Sequence, residues 1–200
     1  VLLVALDQLR ADHLHCYGYF RETSPNIDRL AREGVLFRRM YSVASWTTPS
    51  FVSAMTSLYP SRHGLTLFFP PQKAPPVKAP LLAEAFREAG YRTVAFVNNG
   101  LAGRPILDRG FDEFYQGREV PPNITERIGE PQRAPGTTRK ASAWLRDWAK
   151  TSPRRPFFMF VLYFEPHSPY DPPPEHDIFK TDAYPEERFT GYDPRGGRLL

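Results

Sequence analysis

The sequence predicts an α/β fold with a largely parallel sheet and helices on both faces of that sheet. Three unbroken apolar runs, at 1–6, 93–97 and 157–164, are typical of strands that are covered on both faces. Helical patterns lie between these runs, and strands that alternate with helices favour a parallel sheet. With 200 residues, of which 41% are hydrophobic and 24% charged, the chain is long enough for one domain with a buried core.

Residues that start and stop helices give the other elements. They predict helices from Pro25 to Gly34, from Pro49 to Leu58, from about Pro80 to Ala89 and from about Thr138 to Lys150. In the second of these helices Thr48 is expected to be the N-cap. Residues 35–43 are predicted as a further strand, and residues 110–115 as an aromatic turn.

The overall charge narrows the class of partner. A net charge of +4 is mild and is spread along the chain, so it favours a small anionic ligand and argues against nucleic acid. The single cysteine, Cys16, excludes an internal disulfide. No signal peptide is visible, and the longest apolar run, 157–164, is too short to cross a bilayer. Neither an oligomeric state nor membrane association is predicted.

Polar side chains stand at the ends of the predicted strands and at one helix start. Asp7 follows the first strand, Asn98 follows the strand at 93–97, and His167 follows the last strand. Thr47 lies just before a helix, where the helix dipole favours a developing anion. Because the carboxyl ends of parallel strands share one edge of the sheet, we expect these residues to form a site there.

These residue types suit a metal-assisted hydrolase. Asp7 would hold a hard cation, which would lower the pKa of the Thr47 hydroxyl and neutralise an anionic ester. His167 would donate to a non-bridging oxygen or protonate the leaving group. The alternatives are a cap for Asp7, a loop histidine for His167 and an ordinary capped helix around Thr47.

Six short motifs follow one another in a fixed order along the chain. They are DQLRADH at 7–13, CYGY at 16–19, TSPNIDRL at 23–30, YPSRHG at 59–64, GFDEF at 110–114 and HSPYDPP at 167–173. Together they resemble the sulfatases and their relatives in the alkaline phosphatase superfamily. The resemblance implies an alkaline-phosphatase-like fold that is incomplete at the C-terminus, with residues 1–200 as the N-terminal portion of one catalytic domain.

The resemblance also implies roles for individual residues. It implies a metal site with Asp7, Gln8 and Thr47, the catalytic residues Thr47 and His167, and the substrate-binding residues Asn98 and Arg62. One divalent cation is expected, Ca²⁺ or else Mn²⁺, Zn²⁺ or Mg²⁺. The family's remaining metal ligands lie in a C-terminal portion that this sequence does not contain.

Three positions depart from the sulfatase pattern. Sulfatases carry a cysteine or serine at the position of Thr47, which becomes formylglycine, and threonine cannot give that aldehyde. They carry arginine where this chain has Phe51, and aspartate where it has the neutral Gln8. A threonine nucleophile instead resembles the phosphodiesterase, phosphonate-cleaving and phosphoglycerol-transferring branches, so no formylglycine is expected.

Three functional hypotheses follow from these residues. The first is a metal-dependent hydrolase or transferase that cleaves phosphate-type (or sulfate) esters through Thr47 and is active only with the C-terminal half. The second is a strict sulfuric ester hydrolase. The third belongs to another class: a non-catalytic anion-binding relative, or an inactive fragment. The resemblance favours a periplasmic, extracellular or membrane-anchored protein. We also expect an uncovered apolar surface that includes Leu199, Leu200 and one face of the sheet.

Overall fold

A four-stranded parallel sheet forms the centre of the molecule. The computed structural model describes residues 1–66, 76–99, 106–117, 133–152, 154–167, 170 and 172–179. Within these residues the strands are β1 (Leu2–Leu6), β2 (Arg92–Val97), β3 (Glu113–Gln116) and β4 (Phe157–Tyr163). They lie in the order β1-β4-β2-β3, and every neighbouring pair is parallel.

The three apolar runs are neighbours in this sheet, as predicted. β4 lies between the other two strands, so that Met159 pairs with Leu2 on one side and with Val94 on the other. The buried residues of β2 and β4 alternate between the two faces of the sheet, which produces two separate apolar clusters.

Helices cover both faces, which confirms the predicted layers. The helices are α1 (Pro25–Glu33), α2 (Thr47–Thr56), α3 (Pro60–His63), α4 (Leu82–Glu88) and α5 (Ala134–Thr151). On one face, buried residues of α2 and α4 pack on Ala95, Val97 and Phe160 of the sheet. On the other face, α5 packs on Phe96 and Val161. We call these the α2 face and the α5 face.

The differences from the predicted elements include β3, residues 35–43 and the start of α5. The aromatic turn predicted at 110–115 contains β3, because Glu113–Gln116 extends along β2 and completes a ladder with it. Residues 35–43 form no strand; their backbone pairs with no strand of the described chain, and Val35 and Tyr41 are each 81% exposed. Helix α5 begins four residues earlier than predicted, with a proline in its first turn.

Apolar surface remains exposed on β1. The sequence predicted a strand covered on both faces, whereas Leu2 is 52% exposed and Val4 48% exposed. The reason is that β1 is an edge strand of the described sheet, with only β4 beside it. Leu199 and Leu200 lie outside the described residues. Among the residues that the structure describes, no helix combines the length and the apolar character needed to cross a membrane.

Candidate active site

Asp7 occupies the carboxyl end of β1. Its backbone N–H donates to the carbonyl of Tyr163 at 2.9 Å, which extends the ladder with β4, and its side chain is buried. Gln8 follows with φ of 58°, a left-handed conformation that is uncommon for a residue other than glycine. This turn directs the backbone N–H of Gln8 to the Asp7 carboxylate, whereas the side chain of Gln8 is exposed.

Thr47 is the first residue of α2. The sequence predicted Thr48 as the N-cap, but the structure has Trp46 in that position, with extended backbone, and the N–H of Ser50 donates to its carbonyl. Pro49 is therefore the third residue of the helix, where a backbone N–H has no partner within the helix in any case. Thr47 therefore lies in the first turn of α2, at the positive end of the helix dipole.

The side chains of Thr47 and Asp7 meet at this edge of the sheet. The Thr47 hydroxyl donates to the carboxylate, with Oγ1 lying 3.1 Å from Oδ2 and 3.4 Å from Oδ1. The amide of Asn99, which follows β2 and is 1% exposed, also donates to Oδ2. Two neutral side chains and the backbone N–H of Gln8 thus orient one buried carboxylate.

Burial raises the pKa of the Asp7 carboxyl above its ordinary value. Desolvation is the largest effect, because a charged carboxylate loses hydration in the closed environment. The nearby His167 and the hydrogen bonds from Thr47, Gln8 and Asn99 lower the pKa, but they do not offset the desolvation. The described residues therefore compensate the charge of an ionised Asp7 carboxylate only in part.

His167 lies at the same edge, in the turn that follows β4. Its backbone N–H donates to the carbonyl of Phe164 at 2.9 Å. Its ring stacks on the ring of Phe164, with centroids 4.2 Å apart and an interplanar angle of 23°. His167 also lowers the pKa of Asp7 electrostatically, so the structure places it near the contact between Asp7 and Thr47. The catalytic roles of Thr47 and His167 stay predictions.

Three further predicted site residues do not join the contact between Asp7 and Thr47. They are Asn98, Arg62 and Gln8. The side chain of Asn98 is buried and turned to the α5 face, where it contacts Glu165 and Phe164. Arg62 is exposed on α3. Gln8 contributes its backbone to Asp7, and its exposed side chain makes no contact with the Asp7 carboxylate. The substrate-binding roles of Asn98 and Arg62 and the metal role of Gln8 stay predictions.

Asn99 is the site residue that the sequence reasoning missed. It belongs to the pair Asn98-Asn99 at the end of β2, and alternation along the strand could have distinguished the two. Ala95 and Val97 face α2, so Asn99 continues on the side where Thr47 lies. Asn98 continues on the side of Phe96, which faces α5.

The oxygen atoms of Asp7 and Thr47 suit a hard cation as ligands, but they supply only part of its coordination shell. Within the described ranges, no group of three or more His, Cys, Asp or Glu side chains could hold a metal ion. The Asp7 carboxylate and the Thr47 hydroxyl are oxygen donors of the kind that Ca²⁺ and Mg²⁺ prefer. A buried, partly uncompensated carboxylate beside a hydroxyl fits such an ion, and further ligands would have to come from elsewhere.

Comparison with solved structures identifies the fold. The structure of BT4656 in complex with D-glucosamine-2-N,6-O-disulfate superposes with a TM-score of 0.68 at 22% identity, over 88% of this chain and 36% of that one. The phosphonate monoester hydrolase of Agrobacterium radiobacter superposes with a TM-score of 0.64 at 21% identity, over 90% and 43% respectively. A Vibrio parahaemolyticus protein of the alkaline phosphatase superfamily gives a TM-score of 0.61 at 21% identity, over 86% and 42%. The fold is therefore that of this superfamily.

Comparison of sequences identifies the family. An N-acetylglucosamine-6-O-sulfatase of Bacteroides thetaiotaomicron is 28% identical over an alignment of 214 positions. The alignment covers 98% of this chain and 36% of that protein. An N-acetylgalactosamine-6-O-sulfatase of the same organism is 33% identical over 95 residues, which cover 46% and 19%. The chain thus spans a fifth to about a third of the length of these relatives. The model of the family described as "Sulfatase" matches residues 1–197, and the chain therefore belongs to the sulfatase family.

Proposed function

We propose that this chain forms part of the catalytic domain of a metal-dependent ester hydrolase or transferase in which Thr47 is the nucleophile. The observation that carries the proposal is the contact between the Thr47 hydroxyl, in the first turn of α2, and the buried Asp7 carboxylate at 3.1 Å. A hydroxyl nucleophile needs activation at neutral pH, and a carboxylate partner with a helix N-terminus supplies two sources of it. Membership of the sulfatase family supports ester hydrolysis as the reaction, without bearing on the nucleophile.

In the proposed reaction, Oγ1 of Thr47 attacks the phosphorus of a phosphate-type ester. The P–Oγ bond forms and the bond to the leaving oxygen breaks. The hydroxyl proton passes to the Asp7 carboxylate, to which the hydroxyl already donates a hydrogen bond. His167 donates a proton to the leaving oxygen or a hydrogen bond to a non-bridging oxygen. The oxygen of water or of an acceptor alcohol then attacks phosphorus and loses its proton to His167, the P–Oγ bond breaks, and Thr47 takes back the proton held by Asp7. Positioning and charge neutralisation account for most of the rate of such transfers.

A divalent cation is part of the proposal. Asp7 and Thr47 would hold it, with Gln8 as a neutral donor through its side-chain carbonyl if that side chain turns inward. When bound, the cation would neutralise charge on the ester and lower the pKa of the Thr47 hydroxyl. Since the described residues supply only part of a shell, we further propose that a longer form of the protein contributes the remaining ligands. The chain's span of at most 36% of the two curated relatives supports this.

Sulfate ester hydrolysis is the second candidate. Both Bacteroides relatives are named as sulfatases of N-acetylated hexosamines, which favours a sulfated glycan as substrate. The residue that argues against a formylglycine-dependent mechanism is Thr47, because oxidation of its secondary alcohol would give a ketone rather than an aldehyde. We therefore propose a mechanism without formylglycine for either substrate, with Arg62 as a further anion-binding group.

The experiment that separates these candidates uses one leaving group in three esters. The full-length protein is assayed with an aryl phosphate, an aryl phosphodiester and an aryl sulfate, each with Ca²⁺, Mg²⁺, Mn²⁺ or Zn²⁺ and after chelation. Cation-dependent turnover of a phosphate ester supports the first candidate. Preferential turnover of the sulfate supports the second, and anion binding without turnover of any ester shows a non-catalytic relative.

A further inference from the structure

The buried amide of Asn98 holds the turn that carries His167. Asn98 is 1% exposed and lies just past β2 on the α5 face. Its Oδ1 accepts the backbone N–H of Phe164 at 2.5 Å, and its Nδ2 donates to Oε2 of Glu165 at 2.9 Å. One side chain thus contacts two consecutive residues of the turn after β4, from a strand that is distant in sequence.

Glu165 links the same turn to α5. Its second oxygen, Oε1, accepts the backbone N–H of Ala134, the first residue of that helix, at 3.3 Å. A carboxylate is favoured at a helix N-terminus, both by the unpaired amides and by the dipole. The carboxylate therefore joins β2, the turn after β4 and the start of α5 at one point.

The constrained turn fixes both the backbone and the ring of His167. Phe164, whose N–H is bound by Asn98, accepts the His167 N–H through its carbonyl and stacks its own ring on the imidazole at 4.2 Å. Contacts therefore run without a break from Asn98 through Phe164 to the His167 ring. Asn98 and Thr47 lie toward opposite faces of the sheet, since Asn98 continues β2 on the α5 face and Thr47 begins the helix on the α2 face.

We propose that Asn98 and Glu165 are positioning residues that orient His167 toward the reacting ester, and that Asn98 is not a substrate ligand. The inference rests on the proposed function, in which His167 contacts the ester. Displacement of a reacting group by about 1 Å can cost about a hundredfold in rate, so loss of this support acts on kcat. A residue that bound substrate directly and equally in the ground and transition states would act on KM instead.

The donor and acceptor pattern permits a rescue experiment. In Asn98→Asp, one carboxylate oxygen still accepts the Phe164 N–H, but the other faces the Glu165 carboxylate and repels it. In the double variant Asn98→Asp/Glu165→Gln, the glutamine amide donates to that oxygen while its carbonyl accepts the Ala134 N–H. The double variant thus re-forms all three contacts, with donor and acceptor exchanged only in the contact between residues 98 and 165. Glu165→Gln alone loses one contact.

Two measurements on the full-length protein report on His167. The first is kcat and KM with the ester that the wild type turns over best. The second is the NMR chemical shift of the His167 ring protons, which the stacked Phe164 ring displaces. We expect Asn98→Asp to lower kcat by about tenfold or more, with KM changed less than about threefold, and to move the ring shift toward its unstacked value. The double variant should recover both.

Thr93→Val is the matched control for a purely structural effect. Thr93 is a fully buried polar residue at the opposite end of β2, where its hydroxyl donates to the carbonyl of Gly110. This variant should lower the thermal midpoint while leaving kcat and the His167 shift unchanged. If Asn98→Asp does not fold, Glu165→Gln alone provides the same comparison.

The outcomes distinguish the inference from the function on which it rests. An unchanged kcat or an unchanged ring shift in folded Asn98→Asp, or a rise in KM alone, overturns the positioning role. A double variant that recovers neither property overturns it as well. If the wild type turns over no ester, the proposed function fails, and the ring shifts of the single and double variants still decide whether Asn98 and Glu165 orient His167.

Discussion

The Thr47 hydroxyl lies 3.1 Å from the Asp7 carboxylate, although forty residues separate them in the sequence. The contact exists because the carboxyl end of β1 and the first turn of α2 lie at the same edge of the sheet. The left-handed turn at Gln8 follows β1 there. It joins a buried carboxylate of raised pKa to a hydroxyl at a helix N-terminus. That combination is the chemical basis of the proposed site.

The first prediction concerns the nucleophile. In the full-length protein, Thr47→Ala should lower turnover by about a thousandfold or more, because the variant lacks the proposed attacking oxygen. Thr47→Ser keeps a hydroxyl and should retain part of the activity. The matched control is Thr56→Ala at the other end of α2, where the hydroxyl donates to the carbonyl of Val52 and accepts the N–H of Leu58. Near-normal turnover by Thr47→Ala would assign the attack to another oxygen, such as that of Thr48 or of water.

The second prediction concerns Asp7 and the cation. The raised pKa means that the charged carboxylate costs folding stability at every pH above its ordinary value. Without added metal, Asp7→Asn should therefore raise the free energy of unfolding while abolishing turnover. Added divalent cation should raise the thermal midpoint of the wild type and not that of Asp7→Asn. An equal response of both proteins would place the cation away from Asp7.

Much of the fold could be predicted from apolar runs and helix-end signals. The three runs at 1–6, 93–97 and 157–164 are adjacent strands, and α1 has the bounds that its proline and glycine indicated. β3 was missed because four residues with mixed burial carry little period-2 signal by themselves, and the ladder with β2 decides their conformation. A strand at 35–43 depends on a neighbouring strand, which no described element supplies.

The place of the candidate site could be predicted from the sequence, but not the full set of side chains that meet there. The sequence places three residues at strand or helix ends: Asp7, Thr47 and His167. Since the topology of a parallel sheet brings those ends to one edge, their common location could be predicted. The choice between Asn98 and Asn99 needs the strand's alternation as well, because one side chain faces α5 and the other faces α2. The distances, the pKa of Asp7 and the engagement of Asn98 with Glu165 depend on three-dimensional packing and have no local sequence signal.

The third prediction concerns the exposed face of β1. We expect a further part of the same polypeptide to cover Leu2 and Val4, because exposed apolar side chains on an edge strand favour burial against a partner. In a Cys16→Ser background, Val4→Cys should react rapidly with a maleimide in the 200-residue chain and slowly in the full-length protein. A cysteine introduced at the exposed Glu175 serves as the control and should react at similar rates in both. Equal rates at Val4→Cys would contradict the prediction.

The last prediction concerns the pH dependence of folding through His63. Its Nδ1 accepts the N–H of Leu65 at 3.2 Å, and its Nε2 lies 3.0 Å from Oγ of Ser53, so the neutral ring joins α2 to α3. Burial lowers the pKa of His63 below its ordinary value, although a bond to the carbonyl of Pro49 opposes this. The unfolded chain therefore takes up the proton first as the pH falls.

The stabilisation from His63 is complete above the ordinary histidine pKa of about 6.5 and is lost as the pH falls from there through the lower pKa of the folded state. His63→Gln lacks this titration, so its free energy of unfolding should fall less between about pH 7.5 and about pH 5 than that of the wild type. His176→Gln, at an exposed position, should behave as the wild type does. Denaturant unfolding of the three proteins at each pH measures the difference, and parallel curves for wild type and His63→Gln would show that His63 does not titrate on unfolding.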